Sequence, residues 1–294
     1  MRPPRILVVY KQSAYQAYFN EYRHPRLHRA YRAGDDNLAH FKHSHGVHNE
    51  TLARVRRALD ARGLRYAWRP RGGPRRGRFD WILSVGGDGT LLEAAHGVLD
   101  DTIVLGVNSD PNHSVGRFCA SDARSFGKTL DALLAGRAPL KRVRRLRLRL
   151  DGRPLDGLVL NDVLVAHSNP AAMSHYVLSI GRVSEQQRSS GIWFATAAGS
   201  TGAVQSGGGR RLPLDSASYQ YLPRELYAGE LHAAARGPYK LKGGVLSSGR
   251  KVRLRSLMRE GRVYVDGAHR SFPLKYGSVL EIESASRPLL LVHP

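Results

Sequence analysis

Ser84-Val85-Gly86-Gly87-Asp88-Gly89-Thr90 follows the apolar run Trp81-Ile82-Leu83 and precedes Leu91-Leu92-Glu93-Ala94-Ala95. The pattern reads as strand, glycine turn, helix. Glycine accepts unusual backbone dihedrals and lets a ligand approach the main chain closely. The helix start adds free N–H donors and the positive end of the dipole. Gly86, Gly87, Gly89 and Thr90 are therefore candidate phosphate-binding residues. Asp88 stands out because a carboxylate repels phosphate. Its place among glycines suggests that it accepts a hydroxyl proton or helps to hold a metal bound to phosphate. The competing structural reading is an ordinary Asp-Gly turn, with Thr90 and Glu93 as a capping box.

Working outward from this turn, the first half of the chain alternates strand and helix. Strands are expected at Arg5–Tyr10, Phe79–Val85 and Thr102–Asn108. Helices are expected at Asn49–Arg62, Thr90–Leu99 and Asp122–Ala135. The alternation predicts a parallel sheet covered by helices. Near Lys141 the pattern changes. Arg145–Leu150 alternates Arg and Leu at the period of a half-buried strand. Short strand candidates follow at Leu158–Val165, Tyr176–Ile180, Ile192–Thr196, Val252–Arg255, Val263–Asp266 and Val279–Ile282. The expected fold class is α/β plus all-β: a Rossmann-like domain over 1–143 and a β-sandwich-like domain over 144–283, with 284–294 returning to the first. Tyr15–Asn49 carries His40, His43, His45 and His48 but no framing carboxylate, so a mobile polar loop or helix end is favoured over a metal site. Arg69–Arg78, rich in Pro, Gly and Arg, reads as an exposed loop.

The chain has 294 residues, enough for two domains, and is 41% hydrophobic, enough for a sizeable core. Its single cysteine, Cys119, excludes an intramolecular disulfide and a multi-cysteine metal site. With no signal-peptide pattern and no apolar run of membrane-spanning length, a soluble cytoplasmic protein without membrane association is expected. The formal charge of +22 attracts polyanions. The cations are spread along the chain, however, which makes a basic solvated surface the expected reading and a dedicated nucleic-acid site unlikely.

Further motifs follow the turn. Gly106-Val107-Asn108-Ser109-Asp110-Pro111 leads to Ser114-Val115-Gly116-Arg117-Phe118. A loop at the carboxyl end of a parallel strand is where open sheets bind ligands. Asn161-Asp162 puts an amide beside a carboxylate, suited to ribose hydroxyls or an adenine edge, or to a plain strand-end turn. Thr196-Ala197-Ala198-Gly199-Ser200-Thr201-Gly202-Ala203 and Ser206-Gly207-Gly208-Gly209 supply small residues that could admit a ligand close to the backbone.

The string Gly-Gly-Asp-Gly-Thr after a strand resembles the signature shared by NAD kinases and by diacylglycerol and sphingosine kinases. Taken in order with the downstream motifs, most of the chain resembles an NAD kinase. Gly-Val-Asn-Ser-Asp-Pro and Ser189-Ser190-Gly191 look most like the divergent, mitochondrial-type branch. The resemblance implies that Asp88 accepts the proton of the acceptor hydroxyl. It implies nucleotide-binding roles for Gly86, Gly87, Gly89, Thr90, Asn108, Phe118, Asn161, Asp162, Ala198, Thr201, Gly202 and Ser206. Asp266-Gly267 matches a late Asp-Gly turn of the family. Asp162 stands where the family usually has Glu, Ser190 where it has an acidic residue, and Ala203 where it has Tyr, so Trp193 is a candidate replacement ring.

The activity implied is phosphoryl transfer from ATP or polyphosphate to the 2′-hydroxyl of NAD(H), with Mg2+ arriving on the nucleotide and a homodimer or homotetramer as the assembly. A lipid kinase is the enzymatic rival, favoured by Glu93 and the basic surface and opposed by the downstream motifs. A non-catalytic nucleotide- or nucleic-acid-binding protein is the other, opposed by an intact Asp88.

Overall fold

The computed structural model describes residues 2–21, 25–74, 76–227 and 238–293. It divides into two compact units: Met1–Ala95, Asp101–Lys141 and Leu290–Pro294 in one, His96–Asp100 and Arg142–Leu289 in the other.

In the first unit, β1 (Ile6–Tyr10) is followed by α1 (Pro25–Arg32) and α2 (Asp36–Asp60), then β2 (Tyr66–Pro70), β3 (Trp81–Gly86), α3 (Asp88–His96), β4 (Ile103–Asn108), β5 (Cys119–Asp122), α4 (Phe126–Leu134) and β6 (Leu140–Val143). The sheet runs β2-β1-β3-β4, then the C-terminal strand Leu289–Val292, then β6, with β5 also paired to β4. β1 through β5 pair in parallel, and the C-terminal strand adds to β4 in parallel. The apolar runs of β1, β3 and β4 are buried on both faces, as a parallel sheet requires. Ile6, Val8, Leu83, Val85, Leu105 and Val107 pack against Val55 and Leu59 of α2 and Phe126, Leu130 and Leu133 of α4. Gly106 faces the other way, where a β-carbon would lie 2.8 Å from Leu91 Cδ1 of α3. Helices α2 and α3 therefore cover opposite faces. The winding direction switches between β1 and β3, and the carboxyl ends of these strands are where open sheets of this type bind ligands.

The second unit holds β7 (Leu146–Leu150), β8 (Arg153–Pro154), β9 (Asp162–His167), β10 (Ser174–Ile180), β11 (Val183–Ser189), β12 (Ile192–Ala195), the short α5 (Ala203–Ser206), β13 (Tyr219–Pro223), β14 (Gly244–Leu246), β15 (Val252–Ser256), β16 (Gly261–Val265), β17 (Ser271–Leu274) and β18 (Val279–Ser284). They form two six-stranded sheets, ordered β11-β10-β15-β18-β7-β8 and β14-β13-β12-β9-β16-β17. Leu148, Tyr176, Leu254 and Ile282 of the first sheet share one core with Val163, Phe194, Tyr219 and Val263 of the second. That is a sandwich, and the alternation in β7 follows from it: Leu146 and Leu148 are buried, whereas Arg147 and Arg149 are half-buried.

Three expectations are refined. Of the polar loop or helix end expected for the His-rich segment, the structure has helix. Its four histidines lie on α2, which begins 13 residues before the expected Asn49. Apolar periodicity starts only at Leu52, and the polar first half is held by tertiary contacts: His48 Nε2 donates to the Lys11 carbonyl at 2.9 Å and Thr51 Oγ1 to the Ser109 carbonyl at 3.2 Å. Arg69 and Pro70 end an edge strand instead of opening a loop; a proline is tolerated at a sheet edge. The capping box is absent. Thr90 lies inside α3 and Glu93 pairs with Arg69 at 3.2 Å. Among the described residues no helix is long and apolar enough to cross a membrane.

Candidate active site

Asp88 is the first residue of α3, at the carboxyl end of β3. Its two carboxylate oxygens are each held by one main-chain donor: Arg117 N–H to Oδ2 at 3.0 Å and Phe118 N–H to Oδ1 at 2.9 Å. A carboxylate has about four acceptor positions, so roughly half of its capacity stays open. Two of the glycines around it are tightly packed. A β-carbon on Gly86 would collide with Thr90 Oγ1, and one on Gly87 with Ser114 Oγ. Gly89 lies beside the Arg71 guanidinium, 3.5 Å from where its β-carbon would be. Arg71 belongs to the stretch read as an exposed loop, and no spacing in the sequence links it to the turn.

Asn108 and Phe118 belong to the same local structure. The buried Asn108 amide donates to the Ser114 carbonyl at 2.8 Å, and its Oδ1 accepts the Asp110 N–H at 3.2 Å. It therefore shapes the loop that presents the Arg117 and Phe118 amides to Asp88. Gly116, at φ +59°, packs so tightly against Asn108 that a β-carbon would collide with it. Asp110 is buried and accepts from Ser44 Oγ and pairs with His113 Nδ1 at 3.0 Å. Burial pushes its carboxyl up, but the bonds from Ser44 and His113, with the charges of His113 and Lys11, win and hold it below the usual range.

In the second unit, Asn161 and Asp162 open β9. Asn161 Nδ2 donates to Asp162 Oδ2 at 2.9 Å, and burial pushes the Asp162 carboxyl up to about 6. Beside them runs the turn Ala198–Thr201, followed by Gly202 and α5. The Asn161 carbonyl accepts from Thr196 N–H at 3.0 Å, and Thr196 Oγ1 in turn accepts the Gly199 N–H at 3.0 Å. A β-carbon on Gly202 would be 3.4 Å from Asn161 Nδ2. The structure thus gathers Asn161, Asp162, Ala198, Thr201 and Gly202. Ser206 lies exposed at the end of α5. Trp193 is already engaged: Arg224 covers its ring at 4.9 Å, and Gly207 leaves room for only 2.9 Å between its missing β-carbon and Trp193 Cζ3.

Gly199 has the least room of these residues, since a β-carbon there would run into the carbonyl of Asn161. Main chain must move to relieve that clash. Gly199→Ala is expected to lose about 1–3 kcal/mol of stability, the usual cost of overpacking. Urea unfolding checks it, and an unchanged midpoint would show that the main chain yields there without cost.

Beneath the pair sits Asp266, fully buried, at φ 50°. Its Oδ1 accepts the Asn161 and Asp162 amides at 2.6 and 3.0 Å; its Oδ2 accepts the Leu160 amide at 3.0 Å. Burial pushes its carboxyl up to about 7 against the pull of those amides. Arg145, also fully buried, is pushed down to about 10 by burial, opposed by the charges of Asp266 and Asp100. Sequence reading matched Asp266 to a motif but missed Arg145, which is one cation among many in an Arg-rich run. Among the described residues no three His, Cys, Asp or Glu side chains gather to hold a metal ion. In the His-rich stretch, His45 Nδ1 meets Ser13 Oγ at 2.7 Å, and burial with the Lys11 charge pushes His48 down to about 4.

No family model matches the chain. A protein of Oryza sativa subsp. japonica named probable NADH kinase is 36% identical over 237 residues, 73% of this chain and 71% of that protein. An NADH kinase of Arabidopsis thaliana is 34% identical over 245 residues, 72% of each. This chain belongs to the NAD kinase family. Among solved structures, an NAD kinase from Archaeoglobus fulgidus in complex with ATP aligns at TM-score 0.68 and 21% identity, over 98% of this chain and 93% of that one. Yeast NADH kinase complexed with NADH aligns at TM-score 0.69 and 14% identity, over all of this chain and 84% of that one. At such identities the structures speak for the fold: α/β with a β-rich second part. For an NAD kinase family member, an Asp in the glycine turn and an amide–carboxylate pair on a separate sheet are the two features to explain.

Proposed function

We propose that this chain transfers the terminal phosphoryl group of ATP, or of polyphosphate, to the 2′-hydroxyl of NAD(H), forming NADP(H). The observation that carries the reading is Asp88: a carboxylate at a helix start, both oxygens fixed by main-chain amides and half of its acceptor capacity open. As the hydroxyl oxygen bonds to the terminal phosphorus and the bond to the leaving phosphate breaks, the hydroxyl proton passes to Asp88. Gly86, Gly87, Gly89 and Thr90 let phosphate oxygens approach the main chain at the positive end of the α3 dipole. The second unit recognises the acceptor through Asn161, Asp162, Ala198, Thr201, Gly202 and Ser206. Asn108 and Phe118 contribute by placing the amides that hold Asp88.

Magnesium arrives with the nucleotide, where it offsets phosphate charge. The assembly is a homo-oligomer and the compartment the cytoplasm.

A pH test follows from Asp162. Its carboxyl is raised to about 6, so the charged form, the better acceptor of ribose hydroxyls, prevails above that pH and is lost as pH falls through it. NAD+ affinity measured by calorimetry is expected to weaken below about pH 6 and to be flat in Asp162→Asn. A wild-type profile as flat as that of the variant would remove Asp162 from the acceptor site.

A further inference from the structure

Asp266 has a fourth polar neighbour. His96 Nε2 lies 3.3 Å from Asp266 Oδ2. On the other side of the ring, Arg270 Nη1 lies 2.8 Å from His96 Nδ1. An arginine can only donate, so Nδ1 is the acceptor and the imidazole proton sits on Nε2, facing the carboxylate. Burial, together with the charges of Arg270 and Arg145, pushes His96 down to about 4, which keeps the ring neutral and this tautomer in place at neutral pH. The Asp266 carboxylate holds two amides on Oδ1, those of Asn161 and Asp162, and one on Oδ2, that of Leu160, which leaves Oδ2 the position nearest the His96 ring.

The donor end is built with equal care. The Arg270 guanidinium lies over the Phe272 ring at 5.5 Å, and its Nη2 donates to the Asp156 carbonyl. The turn that supplies this carbonyl passes over the pair at Gly157, φ +71°. A β-carbon there would be 2.8 Å from the His96 carbonyl and 2.9 Å from Arg270 Nη1. Leu158 N–H closes the turn on the His96 carbonyl at 3.3 Å. None of this touches the groups assigned to substrate.

We propose that His96 is a positioning residue for the acceptor site: directed by Arg270, it completes the acceptor set of Asp266 and so locks the main chain that presents Asn161 and Asp162. The proposal rests on the reading of that pair as the dinucleotide grip. Removing the His96 N–H leaves Asp266 Oδ2 with the Leu160 amide alone and so loosens the anchor that the three amides share. A generic buried histidine could be replaced by a ring of similar shape; this one needs its N–H.

Three variants of the full chain test it, each checked for folding by circular dichroism. His96→Phe keeps the ring but loses the donor. His96→Gln keeps a donor near the Nε2 position. Arg270→Met, at a partly exposed position, removes the group that fixes the tautomer. NADH binding is read by nicotinamide fluorescence. Exchange of the Leu160, Asn161 and Asp162 amides is read by mass spectrometry. His96→Phe is expected to weaken NADH binding and to speed exchange of those amides, each about tenfold, the cost of leaving a buried group unpaired. His96→Gln should stay close to wild type, Arg270→Met should fall between, and ATP affinity should hold in all three. Unchanged exchange and binding in His96→Phe would overturn the proposal, as would His96→Gln being as damaged as His96→Phe. Should His96→Phe fail to fold, Arg270→Met decides by the same two measurements. Should wild type bind no dinucleotide, the reading of Asn161 and Asp162 falls, and amide exchange alone still decides whether His96 locks them.

Discussion

Asp88→Asn is expected to lower kcat by about 100- to 10,000-fold, the usual contribution of a positioned general base. The substitution keeps the shape of the side chain and one acceptor oxygen. It removes the group that takes the hydroxyl proton. One of the two amides, Arg117 N–H or Phe118 N–H, also loses its acceptor, because the new NH2 faces it. A bond to a charged acceptor is worth about 1.5–3 kcal/mol, so a modest drop in Tm is expected as well. Dinucleotide affinity, assigned to the second unit, should be unchanged. Single-turnover kinetics and NADH titration separate these effects. Turnover within a few-fold of wild type would take the proton-accepting role from Asp88.

Asp266→Ala carries the largest expected stability loss, about 3–5 kcal/mol, the cost of deleting one partner from a buried charged network. Three consecutive amides, those of Leu160, Asn161 and Asp162, would lose their acceptor. Arg145 would lose one of the two carboxylates whose charge offsets its burial. Alanine is also strained at φ 50°, where Asp and Asn are tolerated. Asp266→Asn should therefore lose less. The comparison belongs at one pH, about 8. With its pKa raised from 3.8 to about 7, the folded state holds a proton that the unfolded state lacks across that window. The wild-type contribution of this group thus declines as pH rises from 3.8 to 7 and is constant above. Urea unfolding measures the difference, and a loss under about 1 kcal/mol, ordinary for a surface change, would show that the network is dispensable.

Much of this architecture could be read before the coordinates. Apolar runs bounded by glycine placed β1, β3 and β4, because strands buried on both faces need such runs. Asp88 was legible as a candidate because a carboxylate among phosphate-binding glycines has few structural uses. The missed parts share a physical cause. The first half of α2 has no apolar stripe, and its helix is held by contacts to Lys11 and Asp110 that lie far off in sequence. The edge strand β2 is half-exposed and ends in Pro70, so period and composition both argued against it. His96, Arg145 and Arg270 act through a carboxylate between 4 and 170 residues away, and in a chain with 46 Lys and Arg no single cation draws attention. Asn108, expected at the nucleotide, also donates its amide to the Ser114 carbonyl in the loop that feeds Asp88, a second use that the sequence does not display.

The central claim is the identity of the acceptor, and one assay addresses it directly. Purified protein with ATP and magnesium is offered NAD+, NADH, a diacylglycerol and a sphingoid base in parallel, and products are resolved by phosphorus NMR. A 2′-phosphate on NAD+ or NADH, with both lipids untouched, is the predicted result. Phosphorylation of either lipid with neither dinucleotide modified would contradict it.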